Sequence, residues 1–337
     1  MALAGGAAAE TSFMATYCVG IDLGGTFIKF GLMGAGYSLV GKTFQLPTPT
    51  DRGGQGVVDQ MAAGARRALA EAGVDPGDVA GLGIGSPGPL DLAAGVVIAT
   101  PNIPGMRNLP LRDLLSEAMD LPAVLDNDAN VAGFGEWLCG AGGRSGDMVL
   151  LTLGTGVGSG IVIDGKVFHG AHGIGAELGH MVLVPDGEIC NCGQRGCLER
   201  YCSATFMSRA AAAMLGDIGR ESLLRDAMSR RGELTAKDVS EARAAGDEFA
   251  AAVWDSMTRH LARGCVSIAR ILDPQRIVLG GGMAAAGEAL LEPVRRHFRT
   301  MHWCLTDIRT EIVLATLGND AGVIGAAGVA WQQFAAA

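Results

Sequence analysis

The spacing of apolar residues sorts most of this chain into short strands and amphipathic helices. Tyr17 to Leu23 is an apolar run that ends in Gly24-Gly25-Thr26, and Phe27 to Met33 is a second such run, so the pattern predicts two strands joined by a glycine turn. Gly34-Ala-Gly36 is turn chemistry, and residues 37–46 alternate well enough for a third strand. Between Gly54 and Ala72, Val57, Met61, Ala65 and Leu69 recur at helical spacing and predict one apolar helix face. Further strands are expected at 79–85, 122–126, 149–153, 161–165, 276–279 and 311–315. Helices are expected at 111–119, 129–139 and 322–335, and residues 205–270 read as mostly helical. Strands alternating with helices point to an α/β architecture in two lobes. The order strand, Gly-Thr-Gly turn, strand occurs at 17–33 and again at 149–163, a weak internal repeat.

Composition narrows this picture only a little. Of 337 residues, 49% are hydrophobic and 18% charged, which suits a folded protein with room for two domains. The net charge of −9 comes without any block of Lys or Arg, which disfavours nucleic-acid and anionic-membrane partners. No apolar run reaches the roughly 18–20 residues that span a bilayer. Residues 1–16 are Ala/Gly-rich, lack a positive start and carry Glu10, so they read as a disordered tail rather than a signal peptide. Eight cysteines, three at close spacing and the rest scattered, suggest a reducing, cytoplasmic setting rather than a disulfide framework.

The close-set cysteines carry the strongest chemical signal. Cys190-Asn-Cys192 and Cys197, with His180 ahead of them, supply a Cys3His set, the soft thiolate and imidazole donors of a closed tetrahedral zinc site. Nothing in the spacing suggests an open coordination position, so the metal is expected to be structural. Cys202 is a substitute ligand outside the tighter motif, and His169 and His172 read as satisfied loop histidines rather than ligands. Glu177 and Glu199 flank the cluster, and the metal would fix both in space.

Two other features point to phosphate chemistry. Asp22-Leu-Gly-Gly-Thr26 and Leu153-Gly-Thr-Gly-Val-Gly158 each offer successive backbone N–H groups that could hold phosphate oxygens, although either alone could be an ordinary hairpin turn. Asp22 would then orient Mg²⁺, which prefers oxygen ligands. Asp126-Asn-Asp128-Ala-Asn130 stands where a strand meets a helix, with more polar groups than a helix cap needs. Asp128 is the candidate general base for phosphoryl transfer to a hydroxyl. Two motif matches are discounted. Gly36 to Thr43 fits a phosphate-loop spacing but reads as strand and runs into Pro47 and Pro49. Gly83-Ile-Gly85-Ser-Pro-Gly88 is followed by proline, not by the helix a dinucleotide site requires.

Taken together, Asp22-Leu-Gly-Gly-Thr26, Asn127-Asp128, Leu153-Gly-Thr-Gly-Val-Gly158, Glu177-Leu-Gly-His180 and Cys190-X-Cys-Gly-X-X-Gly-Cys-Leu-Glu199 resemble the ROK family of bacterial sugar kinases, most closely its zinc-containing glucokinases. The resemblance runs from about Tyr17 to the C-terminal helix. It implies a two-lobed actin-like ATPase (ribonuclease H-like) fold with ATP and sugar in the cleft between lobes. The small α/β lobe is expected at 17–140 plus 320–337, and the large lobe, with the zinc loop, at 141–319. It further implies ATP-dependent phosphorylation of the glucose 6-hydroxyl with Asp128 as base. Sugar contacts would fall on Asn102, Asn127, Asp128, Glu177, His180 and Glu199. The nucleotide and its Mg²⁺ would fall on Asp22, Gly24, Gly25, Thr26, Lys29, Gly154, Thr155, Gly156 and the adenosine-side turn Gly280, Gly281, Gly282. Zinc would fall on His180, Cys190, Cys192 and Cys197, with His180 also reaching the sugar through its second ring nitrogen. A homodimer is expected from the resemblance alone. The alternatives are a kinase for N-acetylglucosamine, N-acetylmannosamine or fructose, and a sugar-sensing repressor-like protein without turnover. About sixteen residues before the first strand are too few for a DNA-reading helical module, and no basic patch is present. Gly318-Asn319-Asp320 departs from the family's usual Gly-Asp-Asp and leaves the role of Asn319 open.

Overall fold

The computed structural model describes residues 16–100, 103–217, 221–303 and 305–335. The tail expected at 1–16, apart from Thr16, and the sugar contact expected at Asn102 lie outside the described residues.

The first sheet is built from β1 (Tyr17–Leu23), β2 (Phe27–Gly34), β3 (Ser38–Pro47), β4 (Val79–Ser86) and, after a small hairpin of β5 (Leu90–Asp91) and β6 (Val96–Val97), β7 (Ala123–Asn127). Its spatial order is β3-β2-β1-β4-β7. The second sheet comprises β8 (Met148–Leu153), β9 (Val157–Ile163), β10 (Lys166–Val167), β11 (Arg276–Gly280) and β12 (Glu311–Leu314), in the order β10-β9-β8-β11-β12. Numbered within each sheet, both read 3-2-1-4-5. In both, the first three strands pair antiparallel and the last two join in parallel. The internal repeat in the sequence is therefore a repeat of whole sheets. Its glycine turns occupy equivalent hairpins, though β9 starts already at Val157, which shortens the second turn to Gly154–Gly156.

Burial follows from position. β1, central in its sheet, is largely buried and apolar apart from Asp22 near its C-terminal end, whereas β3 at the edge is exposed or half-exposed. Helices α1 (Gly53–Ala72) and α2 (Leu111–Met119) cover the first sheet, with Val57, Met61, Ala65 and Leu69 buried on α1 as the spacing predicts. The second sheet is covered by a helical set: the short α4 (Glu199–Cys202), then α5 (Ala204–Asp217), α6 (Leu224–Arg231), α7 (Ala236–Ala244), α8 (Glu248–Leu272) and α9 (Glu288–Met301). Sequence reading leaves α9 unassigned, and the helix carries Pro293 in its interior. Leu290, Leu291, Val294 and Phe298 nevertheless bury one face, and that packing outweighs the proline.

Two crossover helices join the halves. α3 (Asp128–Cys139) follows the fifth strand of the first sheet yet packs on β8 and β9 of the second. α10 (Ala321–Phe334) follows the fifth strand of the second sheet and packs on β1, β2 and β4 of the first. The two helices also pack on each other, and their contact requires glycine: a Cβ on Gly325 would overlap the Val131 carbonyl. Gly83, part of the discounted dinucleotide motif, serves the same end, since a side chain there would strike the backbone of Ala326 on α10. Among the described residues, no helix is long and apolar enough to cross a membrane.

Candidate active site

The C-terminal ends of β1, β7, β8 and β11 converge on one cavity of about 1150 Å³, whose wall includes Asp22, Asn127, Thr152 and Gly280. A crevice at strand C-termini is where α/β sheets leave backbone groups and side chains free to meet a ligand.

Asp22 and Lys29 stand opposite each other in the β1–β2 register, and Lys29 Nζ lies 3.2 Å from Asp22 Oδ2. The same ammonium donates to the Asn319 carbonyl at 3.1 Å, so it links the first hairpin to the start of α10. Gly322 on α10 has no room for a Cβ because the Asp22 carboxylate is 2.7 Å from where it would sit. Burial raises the Asp22 carboxyl above its ordinary value, and Lys29 opposes the shift.

At the β7–α3 corner Asn127 caps the helix: its side-chain oxygen accepts from Ala129 N at 2.9 Å and Asn130 N at 3.2 Å. With Oδ1 committed, the amide N–H pair is the end available to a ligand. Asp128, the first residue of α3, accepts from Ala129 N at 2.8 Å. Its carboxyl is raised, first by burial and then by the charges of Asp22 and Glu177, while the Ala129 N–H opposes. These are the conditions that move a carboxylate toward general-base work near neutral pH.

From the second sheet come Gly154, Thr155 and Gly156 of the glycine turn, Glu177, His180, Glu199 and Gly280–Gly282. Glu199 does more than face the cavity, because its Oε2 accepts from Val157 N at 2.9 Å and lies where a Cβ on Gly156 would be. Thr155 also borders a second cavity of about 480 Å³ lined by Thr205, Ser208, Arg209, Glu233 and Thr235. Gly24, Gly25 and Thr26 are not brought to the cavity wall. Gly24 N donates to Phe27 O at 3.0 Å and its carbonyl accepts from the Thr48 hydroxyl at 2.7 Å, so Gly24 itself closes the hairpin.

His180, Cys190, Cys192 and Cys197 place one donor atom each within 4.8 Å of all the others. Cys192 and Cys197 Sγ are 3.7 Å apart, and Cys190 Sγ is 3.6 Å from His180 Nδ1. Tetrahedral zinc with Zn–S near 2.3 Å and Zn–N near 2.05 Å requires edges of about 3.8 and about 3.6 Å, which these two distances match, so the donor set suits that ion. Burial pushes the Cys197 thiol up to about 12, whereas the Gln194 N–H draws Cys192 down to about 7.

Sequence reasoning missed two contacts around the cavity. Glu136 on α3 is buried and accepts from the backbone N–H groups of Ala141 (2.9 Å), Thr316 (3.0 Å) and Leu317 (2.8 Å), tying α3 to the segment ahead of α10. His169, set aside as a loop histidine, lies 2.7 Å from Asp126 of the opposite sheet. No local pattern announces either contact, because each joins residues distant in sequence.

Residues 18–333 match the model of the ROK family. The chain belongs to the ROK family. Like other ROK proteins it has the actin-like ATPase fold, here with both sheets in the order 3-2-1-4-5. A glucokinase of Halalkalibacterium halodurans is 40% identical over 94% of this chain and 95% of its own length. The ROK hexokinase of Thermus thermophilus is 34% identical, with a TM-score of 0.78 over 94% of this chain and 98% of that one. A ROK glucokinase of Streptomyces griseus, solved in complex with glucose and AMPPNP, is 34% identical, with a TM-score of 0.74 over 94% and 99% of the two chains.

Proposed function

We propose that this ROK protein is a glucokinase, transferring the γ-phosphoryl group of ATP to the 6-hydroxyl of glucose. The observation that carries the reading is a single cavity in which Asp128, a half-buried carboxyl under the charges of Asp22 and Glu177, shares the wall with a glycine turn and His180. The glucokinase similarity at 40% identity supports the same substrate, and the AMPPNP complex of the S. griseus relative supports ATP as donor.

In this reading Asp128 accepts the proton of the 6-hydroxyl as the hydroxyl oxygen bonds to the γ-phosphorus. The bond from that phosphorus to the β–γ bridging oxygen breaks, and ADP leaves. Gly154–Gly156 offers backbone N–H groups to the phosphates, and Gly280–Gly282 borders the nucleoside end. The Asn127 amide, Glu177, His180 and Glu199 hold the sugar hydroxyls. Asp22 would hold Mg²⁺, which when bound offsets phosphate charge. His180, Cys190, Cys192 and Cys197 would hold zinc, which when bound fixes the loop presenting Glu177 and Glu199.

The reading keeps residues 17–140 with 320–337 as one lobe and 141–319 as the other, supported by the separate hydrophobic core under each sheet. A cytoplasmic homodimer rests on likeness to the family alone. A coupled ADP assay over glucose, N-acetylglucosamine, N-acetylmannosamine and fructose tests the whole. Glucose should give the highest kcat/KM, preference for an N-acetyl sugar would move the assignment to that kinase, and no ADP formation with any hexose would overturn it.

A further inference from the structure

The buried end of β7 carries a carboxylate that the transfer step does not use. Asp126 is 3% exposed, and its Oδ1 accepts from Asn127 N at 2.7 Å and from the Asn130 amide at 3.0 Å. Its Oδ2 faces His169 Nε2 at 2.7 Å. Asp126 belongs to the first sheet, while His169 follows β10 of the second, so this hydrogen bond crosses the cleft.

What lies next to each partner gives the contact its meaning. Asp126 immediately precedes Asn127 and Asp128. His169 roots the loop that leads to Glu177: its carbonyl accepts from Gly175 N at 2.8 Å, and Gly173 to Glu177 form part of the cavity wall. The far end of that loop is pinned to β9, where the Ser159 hydroxyl donates to the Ala176 carbonyl and accepts from Leu178 N at 2.9 Å. The loop is thus fastened to its own sheet at one end and to the opposite sheet at the other. A buried carboxylate left without its partner is strongly disfavoured, so the pair has reason to stay closed. Hydrogen bonding to Asp126 also raises the His169 imidazole above its ordinary value, which favours the cation that pairs with the carboxylate.

We propose that His169 is a positioning residue for the hexose end of the site. Through Asp126 it sets the spacing between the Asn127–Asp128 corner and the Glu177–His180 loop, without itself touching the reacting atoms. The proposal rests on the hexose kinase reading. Displacing aligned groups by about 1 Å can cost on the order of 100-fold, so a lost tether should be visible in sugar kinetics.

His169→Gln and His169→Asn separate the tether from simple structural support. A glutamine amide reaches roughly as far as Nε2, whereas an asparagine amide falls short. In the zinc-loaded, full-length protein, His169→Asn should raise the KM for glucose about 10- to 100-fold, leave the KM for ATP within about twofold and leave zinc content unchanged. His169→Gln should recover glucose KM to within about threefold of wild type. Amide hydrogen exchange over residues 170–177, measured without any substrate, should accelerate in the Asn variant and not in the Gln variant. Equal impairment of both variants, unchanged glucose KM in His169→Asn, or unaltered exchange would each overturn the proposal. If the wild-type protein phosphorylates no hexose, the kinase reading fails, and the exchange comparison still judges the tether on its own.

Discussion

Replacing Asp128 by Asn is the sharpest test of the assigned base, because the structure isolates what the substitution removes. The carboxylate Oδ1 that accepts from Ala129 N at 2.8 Å has an equivalent in the Asn carbonyl, and Asn127 still caps α3. Only the basic oxygen and the negative charge are lost. A carboxyl whose folded pKa is raised binds its proton more readily in the native than in the unfolded state, so stability falls as pH rises past the unfolded value. Removing that half-buried charge beside Asp22 and Glu177 should therefore leave the melting temperature at pH 7 unchanged or higher. Turnover, by contrast, should fall by ~10²–10⁴, about 2.7–5.5 kcal/mol on the barrier. Initial rates from a coupled ADP assay, with glucose affinity from calorimetric titration, separate the two effects. The raised carboxyl also places the acidic limb of kcat/KM above the ordinary carboxylate range: activity rises as pH rises through that value, and the limb should vanish in the variant. Turnover within threefold of wild type, or an unchanged limb, would refute the assignment.

The remaining predictions concern metal, phosphate and fold. Cys192→Ser should release zinc and raise the KM for glucose, because Glu177, His180 and Glu199 lose a fixed loop; elemental analysis showing full zinc in the variant would contradict this. Omitting Mg²⁺ while retaining zinc should abolish ADP formation, and turnover that persists without any divalent cation beyond the zinc cluster would count against the Asp22 assignment. Asp247 caps α8 through Ala250 N at 2.9 Å and also accepts from the Ser222 hydroxyl and Leu223 N, each at 2.7 Å. Burial opposes ionisation there, yet these donors hold the carboxyl below its ordinary value. Its stabilising effect is therefore present above the unfolded carboxyl pKa near 4 and lost as pH falls through the lower folded value. Asp247→Ala should cost about 2–3 kcal/mol in urea unfolding at pH 7 and flatten the acid limb of stability; an unchanged midpoint would exclude the cap.

The sequence exposes whatever is local and periodic. The doubled strand–turn–strand pattern becomes two sheets of one order, and the Cys3His spacing becomes four converging donors, since a short loop brings near neighbours together. Contacts made through tertiary packing leave no such trace. Glu199 reads as a sugar ligand, and nothing in its neighbourhood suggests that it also accepts from Val157 N across the second glycine turn. The phosphate-loop lookalike ends with Thr43 donating to Asp320 at 2.7 Å, a contact 277 residues away. Gly83 matches a dinucleotide spacing because α10 needs the room. Gly83 is thus set by a close approach, whereas Gly36 and Gly41 of the phosphate-loop lookalike lie in open space with positive φ and serve as turns; spacing alone distinguishes neither from a ligand loop.

The electrostatics of the cleft follow from the crossover. Among the described residues of the main cavity wall, Asp22, Asp128, Glu136, Glu177 and Glu199 face a single Lys or Arg side chain, Lys29, and that one is paired with Asp22. A triphosphate entering such a cleft meets net negative charge, so side chains alone would repel it. Attraction has to come from backbone dipoles and from a cation. The crossed helices supply the first: α3 begins at Asp128 and α10 begins beside Asn319, so both N-termini, each carrying roughly half a positive charge, open on the same space. The carboxylates would admit the second, since a hard divalent ion takes oxygen ligands. The acidity that disfavours nucleic acid in the sequence is, in the folded cleft, the reason a nucleotide would bind as its metal complex. The same acidity, acting after burial, adds to the raised pKa of Asp128 through the charges of Asp22 and Glu177.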